Sequence, residues 1–227
     1  MVARKATSGR VTTRTATRAG NPLLVAAGAF RLVFVFIAAR HYDQAEETAR
    51  TAAEALWPMT GQGYPRAMSL WGGLTLQRAV VAARVNDPDT AYDQLERARQ
   101  VARRLGEGRA EFNTEFGPAN VGLQEVAIAV DLGDAGRALR AAAAVDTSGL
   151  SAERRARLLI ETARAHAQRR QASEAVATLL RAEQITAELV RGHPLVRQLV
   201  SDLLTMQDPP AAELRDLARR LTSTKRD

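Results

Sequence analysis

Cysteine is absent from the 227 residues. That excludes a disulfide framework, a thiolate metal site and a cysteine nucleophile, and it suits a cytoplasmic protein. Aromatic residues make up 4% of the chain, and few stretches alternate apolar and polar side chains, so a β-sheet is not expected. The histidines are His41, His166 and His193. They lie too far apart for a His-Glu-x-x-His motif or an i,i+4 pair, so no metal site is expected. His41 and His193 fit turn or capping positions, and His166 a satisfied core position. Gly61-Gln62-Gly63 follows no strand and runs into Tyr-Pro, so it makes a turn and not a phosphate loop. There is no serine elbow, and the adjacent Glu46 and Glu47 fall on exposed helical positions. The sequence therefore predicts a non-enzymatic protein with no cofactor.

A long uninterrupted apolar run is missing too. The segment PLLVAAGAFRLVFVFIAA (22–39) comes nearest, but Arg31 splits it into pieces far short of the ~18 residues a membrane span needs. A buried helix accounts for it better than a span or a signal-peptide core. Acidic residues are missing from residues 1–20, where Arg4, Lys5, Arg10, Arg14 and Arg18 supply five of the seven net positive charges. The remainder of the chain is close to neutral, with arginines and glutamates interleaved as on solvated helix faces. Residues 1–20 read as a disordered basic arm or linker, and 21–227 as the folded domain. The arm could follow an upstream domain, touch nucleic acid, or serve in targeting.

The most informative feature present is a recurrence. Ala45, Ala91, Ala138 and Ala175 each open a helix after a short polar turn, in HYDQAEETARTA (41–52), NDPDTAYDQLERA (86–98), LGDAGRALRAAAAV (132–145) and RRQASEAVATLLRA (169–182). Seven residues later stand Ala52, Ala98, Val145 and Ala182, and twelve residues earlier Val33, Ala79, Val126 and Ala163. Recurrence of this kind marks stacked helical hairpins. The spacing predicts ten helices: 23–40, 43–56, 68–85, 88–105, 118–132, 134–145, 152–169, 172–190, 194–206 and 210–222. Asp43, with Glu46 three residues on, is the expected cap of the second helix. Asp87-Pro88 opens the fourth, Pro118 the fifth and Ser151 the seventh. Trp57-Pro58 and the run 60–65 are expected to break the chain between the first two hairpins.

The small residue in the first helix of each unit and the two alanines of the second resemble the tetratricopeptide repeat. The unit spacings of 46, 47 and 37 residues exceed the standard 34. The resemblance implies an all-α, tetratricopeptide-like right-handed solenoid of about five antiparallel helical hairpins. The stretches 111–184, SLWGGLTLQRAVVAAR (69–84) and HPLVRQLVSDLL (193–204) are similar to the C-terminal sensor half of bacterial Xre-type transcriptional regulators. In that family a lambda-repressor-like helix-turn-helix domain precedes the helical part. Residues 1–20 are too short and polar to form one, so such a head is lost or the start codon is misassigned.

This resemblance implies a module that binds a peptide or protein, and that forms a homodimer or a dimer with a full-length regulator. The alternative reading is a weakly DNA-associated protein that uses the basic arm. No membrane partner is expected. The expected binding residues are Asn120 and Gln124, amides able to grip a peptide backbone, and Arg157 and Arg164, cations able to hold a carboxylate. They are expected to face one groove. Phe116, in the segment 113–120, is expected to plug the interior.

Overall fold

The computed structural model describes residues 21–106, 112, 114–206 and 209–223. Of these, 83% are helical and none forms a strand, so the protein is all-α. Eleven helices appear among the described residues: α1 (Pro22–Ala38), α2 (Tyr42–Gly61), α3 (Pro65–Arg84), α4 (Pro88–Leu105), α5 (Pro118–Asp131), α6 (Ala135–Ala144), α7 (Ala152–Gln168), α8 (Ala172–Ile185), α9 (Ala187–Gly192), α10 (Pro194–Met206) and α11 (Ala212–Ser223). The chain divides into two compact units between Gln124 and Glu125. Residues 1–20, assigned above to the basic arm, lie outside the described residues.

One loop, used four times, makes the hairpins. After α1, α3, α5 and α7 the chain places Arg40, Asn86, Gly133 and Arg170 at φ of +58°, +59°, +78° and +62°. The next amide then reaches back five residues: His41 to Phe36, Asp87 to Ala82, Asp134 to Ala129 and Gln171 to His166, at 2.9, 2.9, 2.8 and 3.0 Å. Together with the bonds from Arg40, Asn86, Gly133 and Arg170 to the carbonyls three residues earlier, this is the Schellman ending. His41, Asp87, Asp134 and Gln171 then become the N-caps of the following helices. Four residues on, Ala45, Ala91, Ala138 and Ala175 are each fully buried. Val33, Ala79, Val126 and Ala163 are buried as completely. The recurrence in the sequence is thus a repeated geometry: a reversal of fixed shape that brings one small side chain to the crossing of two helices.

Four of the caps follow from side chains. Asp87 accepts from the Thr90 amide at 3.1 Å, Asp134 from Arg137 at 2.9 Å, and Ser151 from Arg154 at 3.3 Å. Asp43, the expected cap of α2, is not one. His41 occupies the N-cap without a side-chain bond, and Asp43 lies in the first turn, where its charge meets the positive end of the helix. An unforeseen cap opens α1, where Asn21 accepts from Leu23 at 3.0 Å just before Pro22.

Two breaks also differ from expectation. Helix α2 runs through Pro58 to Gly61, and α3 starts at Pro65. Proline removes one hydrogen bond, to the carbonyl of Glu54, which is exposed and can be hydrated. The last turn is held because Leu56 and Thr60 are buried, the Thr60 hydroxyl donates to the Trp57 carbonyl at 2.7 Å, and the Trp57 and Trp71 rings meet at 5.2 Å. The expected helix 172–190 ends at Ile185, since Thr186 is extended (φ −151°, ψ 85°) and redirects the chain into α9. That turn brings Val190 into the core, fully buried.

In the first unit α1 packs on α2 and α3, and α3 on α2 and α4. Every residue of α3 from Ala67 to Gln77 is buried. Phe116 is the plug: its ring lies against Gly72, where an added Cβ would stand 2.0 Å from Cζ. Phe30 of α1 approaches Gly73 of the same helix, 2.9 Å from a Cβ there. Beside Phe116, the Thr114 and Ser69 hydroxyls share a buried hydrogen bond of 2.6 Å. In the second unit α7 packs on α6, α8, α9 and α10, and α11 on α8, α9 and α10. Its core gathers Ile160, Ala163, Ala175, Leu179, Val190, Val196, Leu203, Leu214 and Leu217.

Candidate functional site

Asn120 and Gln124 lie one turn apart on α5, in the first unit, so their side chains share a helix face. Both are half-buried. Asn120 already has an interaction, whereas Gln124 makes no side-chain hydrogen bond among the described residues. The pair can offer one amide with open donors and acceptors and a second that is partly engaged.

Arg157 and Arg164 lie two turns apart on one face of α7, in the second unit. They differ in availability. Arg164 is 21% exposed and holds two carboxylates, Glu161 at 2.5 Å and Asp131 at 3.0 Å. Burial acts to lower its pKa, but the two carboxylates outweigh that and hold it above the usual guanidinium value. This arginine is part of the fold. Arg157 is 53% exposed and, among the described residues, bonds only to Glu153, one turn earlier, at 2.8 Å. Exposed i,i+4 pairs contribute a few tenths of a kcal/mol. Its guanidinium can therefore exchange Glu153 for an incoming carboxylate.

His193 is more constrained than a solvated turn histidine. It caps the C-terminus of α9, but its Nδ1 is buried with no hydrogen-bond partner among the described residues. Burial pushes its pKa down, and the charges of Arg157, Arg164 and Arg197 push it down further. Arg197 donates to the Arg191 carbonyl at 3.1 Å. Arg157 and Arg164, each paired with carboxylates, thus stand near an imidazole that burial and the neighbouring charges hold toward its neutral form. Nothing in the spacing of His193 relative to Arg157 reveals this, because α9 and α10 bring them near each other only by packing on α7. His166, expected as a satisfied core residue, is half-buried and shares a 2.9 Å hydrogen bond with Gln171.

Other charges are structural. Glu46 is not an exposed helical carboxylate: it receives Arg78 of α3 at 2.7 Å and so ties α2 to α3. Glu47 remains exposed and pairs with Arg50. Glu183 of α8 receives Arg191 of α9 at 3.0 Å and Arg220 of α11 at 2.7 Å, which fastens the last helices. Hydrogen bonding from Arg220 is the main cause that holds the Glu183 carboxyl below its usual range. No described helix is long and apolar enough to cross a membrane.

No protein-family model matches the chain, and comparison with curated proteins yields no match.

Proposed function

We propose that this chain is a tetratricopeptide-like helical-repeat module that binds a peptide or protein without catalysing a reaction, and that it serves as the sensor part of a transcriptional regulator. The observation that carries this reading is the fourfold hairpin, with the same loop and the same buried alanine in each copy. Repeats of this kind stack through their buried faces and bind extended ligands along the concave surface that their inner helices line. On α7 that role falls to Arg157, a cation with an exposed, exchangeable partner, while Arg164 braces the helix. On α5 it falls to Gln124 and, beside it, Asn120.

The test is selection of peptides from a displayed library on the immobilised chain, followed by titration of a selected peptide in solution. Arg157→Ala is expected to weaken binding several-fold with no change in melting temperature. Arg215→Ala, on the exposed side of α11, is expected to change neither. If no peptide is enriched over a scrambled pool, or Arg157→Ala binds as tightly as the parent, the peptide-binding reading fails.

A further inference from the structure

Helices α9 and α10 meet at His193, and both pack on α7. His193 makes no side-chain hydrogen bond among the described residues, and its Nδ1 is closed off from water. A buried polar atom without a partner is rare in a folded chain and marks a place where something else is bound. Arg197, one turn further on, is exposed. It donates to the Arg191 carbonyl at 3.1 Å but meets no carboxylate among the described residues. The charges that act on the imidazole, from Arg157 and Arg164 of α7 and Arg197 of α10, are all positive. Acids on the packed helices are turned elsewhere: Glu153 to Arg157, Glu161 to Arg164, and Glu183 of α8 to Arg191 and Arg220.

Arg164 is committed to its two carboxylates, so Arg157, Arg197 and the imidazole are left to face a ligand. Arg157 has Glu153 beside it, and the charge without a counterion is that of Arg197. One negative charge balances it, which suits a carboxylate better than a phosphate group of nearly two charges. We propose that Arg157, Arg197 and His193 form a site for one carboxylate of the ligand, and that the imidazole takes up a proton from water as the carboxylate enters. This rests on the reading of Arg157 as a ligand contact and adds to it two residues and a proton. Arg157 releases the exposed Glu153 to water and turns its fork to the incoming oxygens, which also accept from Arg197 and the ring. A negative charge beside the ring opposes the cations that keep it neutral, so the occupied site holds a proton at a pH where the empty one does not. Affinity therefore rises as pH falls, and levels off once the empty site is protonated too.

The probes are N-acetylglycine, whose carboxylate ends a chain, and the α-amide of N-acetylglutamate, whose carboxylate is a side chain. N-acetylglycinamide is the neutral counterpart. NMR of the histidine rings in the full chain follows each titration, with chloride holding ionic strength constant and His41 and His166 as internal controls. At least one carboxylate probe should raise the His193 titration midpoint and bind several-fold tighter at about pH 5.5 than at about pH 7.5, a range above the protonation of its own carboxyl. The tighter of the two tells a chain terminus from an acidic side chain. The neutral amide should leave the midpoint in place. Arg157→Ala and Arg197→Ala should each weaken binding several-fold with unchanged melting, Glu153→Gln should strengthen it, and His193→Asn should remove its pH dependence. No binding of either carboxylate, an unmoved His193 midpoint at saturation, or an Arg197→Ala chain that binds like the parent would overturn the proposal. If a library peptide still depends on Arg157 in that event, the peptide-binding reading stands and only the carboxylate site is lost.

Discussion

At the residue scale the loops are the most exacting feature. Arg40, Asn86 and Arg170 occupy a left-handed conformation that glycine adopts without cost, and Gly133 holds the equivalent position. Placing a side chain there costs roughly 1 kcal/mol, less for asparagine. Glycine loses more entropy on folding and returns part of this. Arg170→Gly should therefore stabilise the chain by a fraction of a kcal/mol, Asn86→Gly by less, and Gly133→Ala should destabilise it by about 1 kcal/mol. Urea denaturation decides it, and a loss of stability in Arg170→Gly would mean the four loops are not equivalent. His193 sets a second expectation at this scale. Its folded pKa is depressed, first by burial and then by the three arginines. The folded state therefore binds fewer protons than the unfolded chain. Stability is full above the unfolded imidazole value of about 6.5 and declines as pH falls from there toward the lower folded value. Melting curves should show this decline, and His193→Asn should flatten it. A decline of equal slope in the variant would assign it to other groups. Glu183 contributes in a separate, more acidic window. Its stabilisation is present above the unfolded carboxyl pKa and lost as pH falls through the lower folded one.

Individual elements are fixed by contacts that spacing alone does not disclose. Helix α3 is nearly surrounded, and its Gly72-Gly73 pair lets two aromatic rings touch the backbone. Gly72→Ala would place a methyl 2.0 Å from Phe116, so the ring must leave. That overpacking should cost about 1–3 kcal/mol. Phe116→Ala alone should cost about 3–5 kcal/mol through the cavity it opens. In the double variant the new methyl enters that space, so the combined loss should fall below the sum of the single losses. Additive losses would show that Phe116 does not rest on Gly72. The same logic separates faces of α4. Ala91→Leu should destabilise by overpacking, whereas Glu96→Ala, on a partly exposed i,i+3 pair with Arg99, should be close to silent.

The molecule as a whole carries +7, of which residues 1–20 hold five charges. Any affinity for DNA should therefore be weak, indifferent to sequence and steeply reduced by salt. Removing residues 1–20 should abolish it and leave the melting transition in place. Gel-shift titrations at two salt concentrations check this. Tight, sequence-specific binding by residues 21–227 would contradict the reading of this chain as a repeat module that binds peptides or proteins.

The helical class, the four reversals and the small residues at the crossings could be read directly from the chain, because each is set by local rules. Apolar periodicity fixes the buried face, a proline or a capping side chain fixes the start, and a left-handed residue fixes the stop. Phe116 was legible as a plug for the same reason, as an apolar residue beside a helix start. Where packing competes with local preference, the sequence misled. Pro58 is carried through α2 because Trp57, Leu56 and Thr60 gain more from burial and contact than the helix loses in one hydrogen bond. Thr186 breaks a good helix because Val190 thereby enters the core. The candidate site was legible only as residue types. That Arg164 is committed to Asp131, and that His193 lies near Arg157 and Arg164 with its pKa pushed down, depends on contacts between residues about 30 apart in sequence. Those contacts form when helices distant in sequence share one core, and no local pattern encodes them.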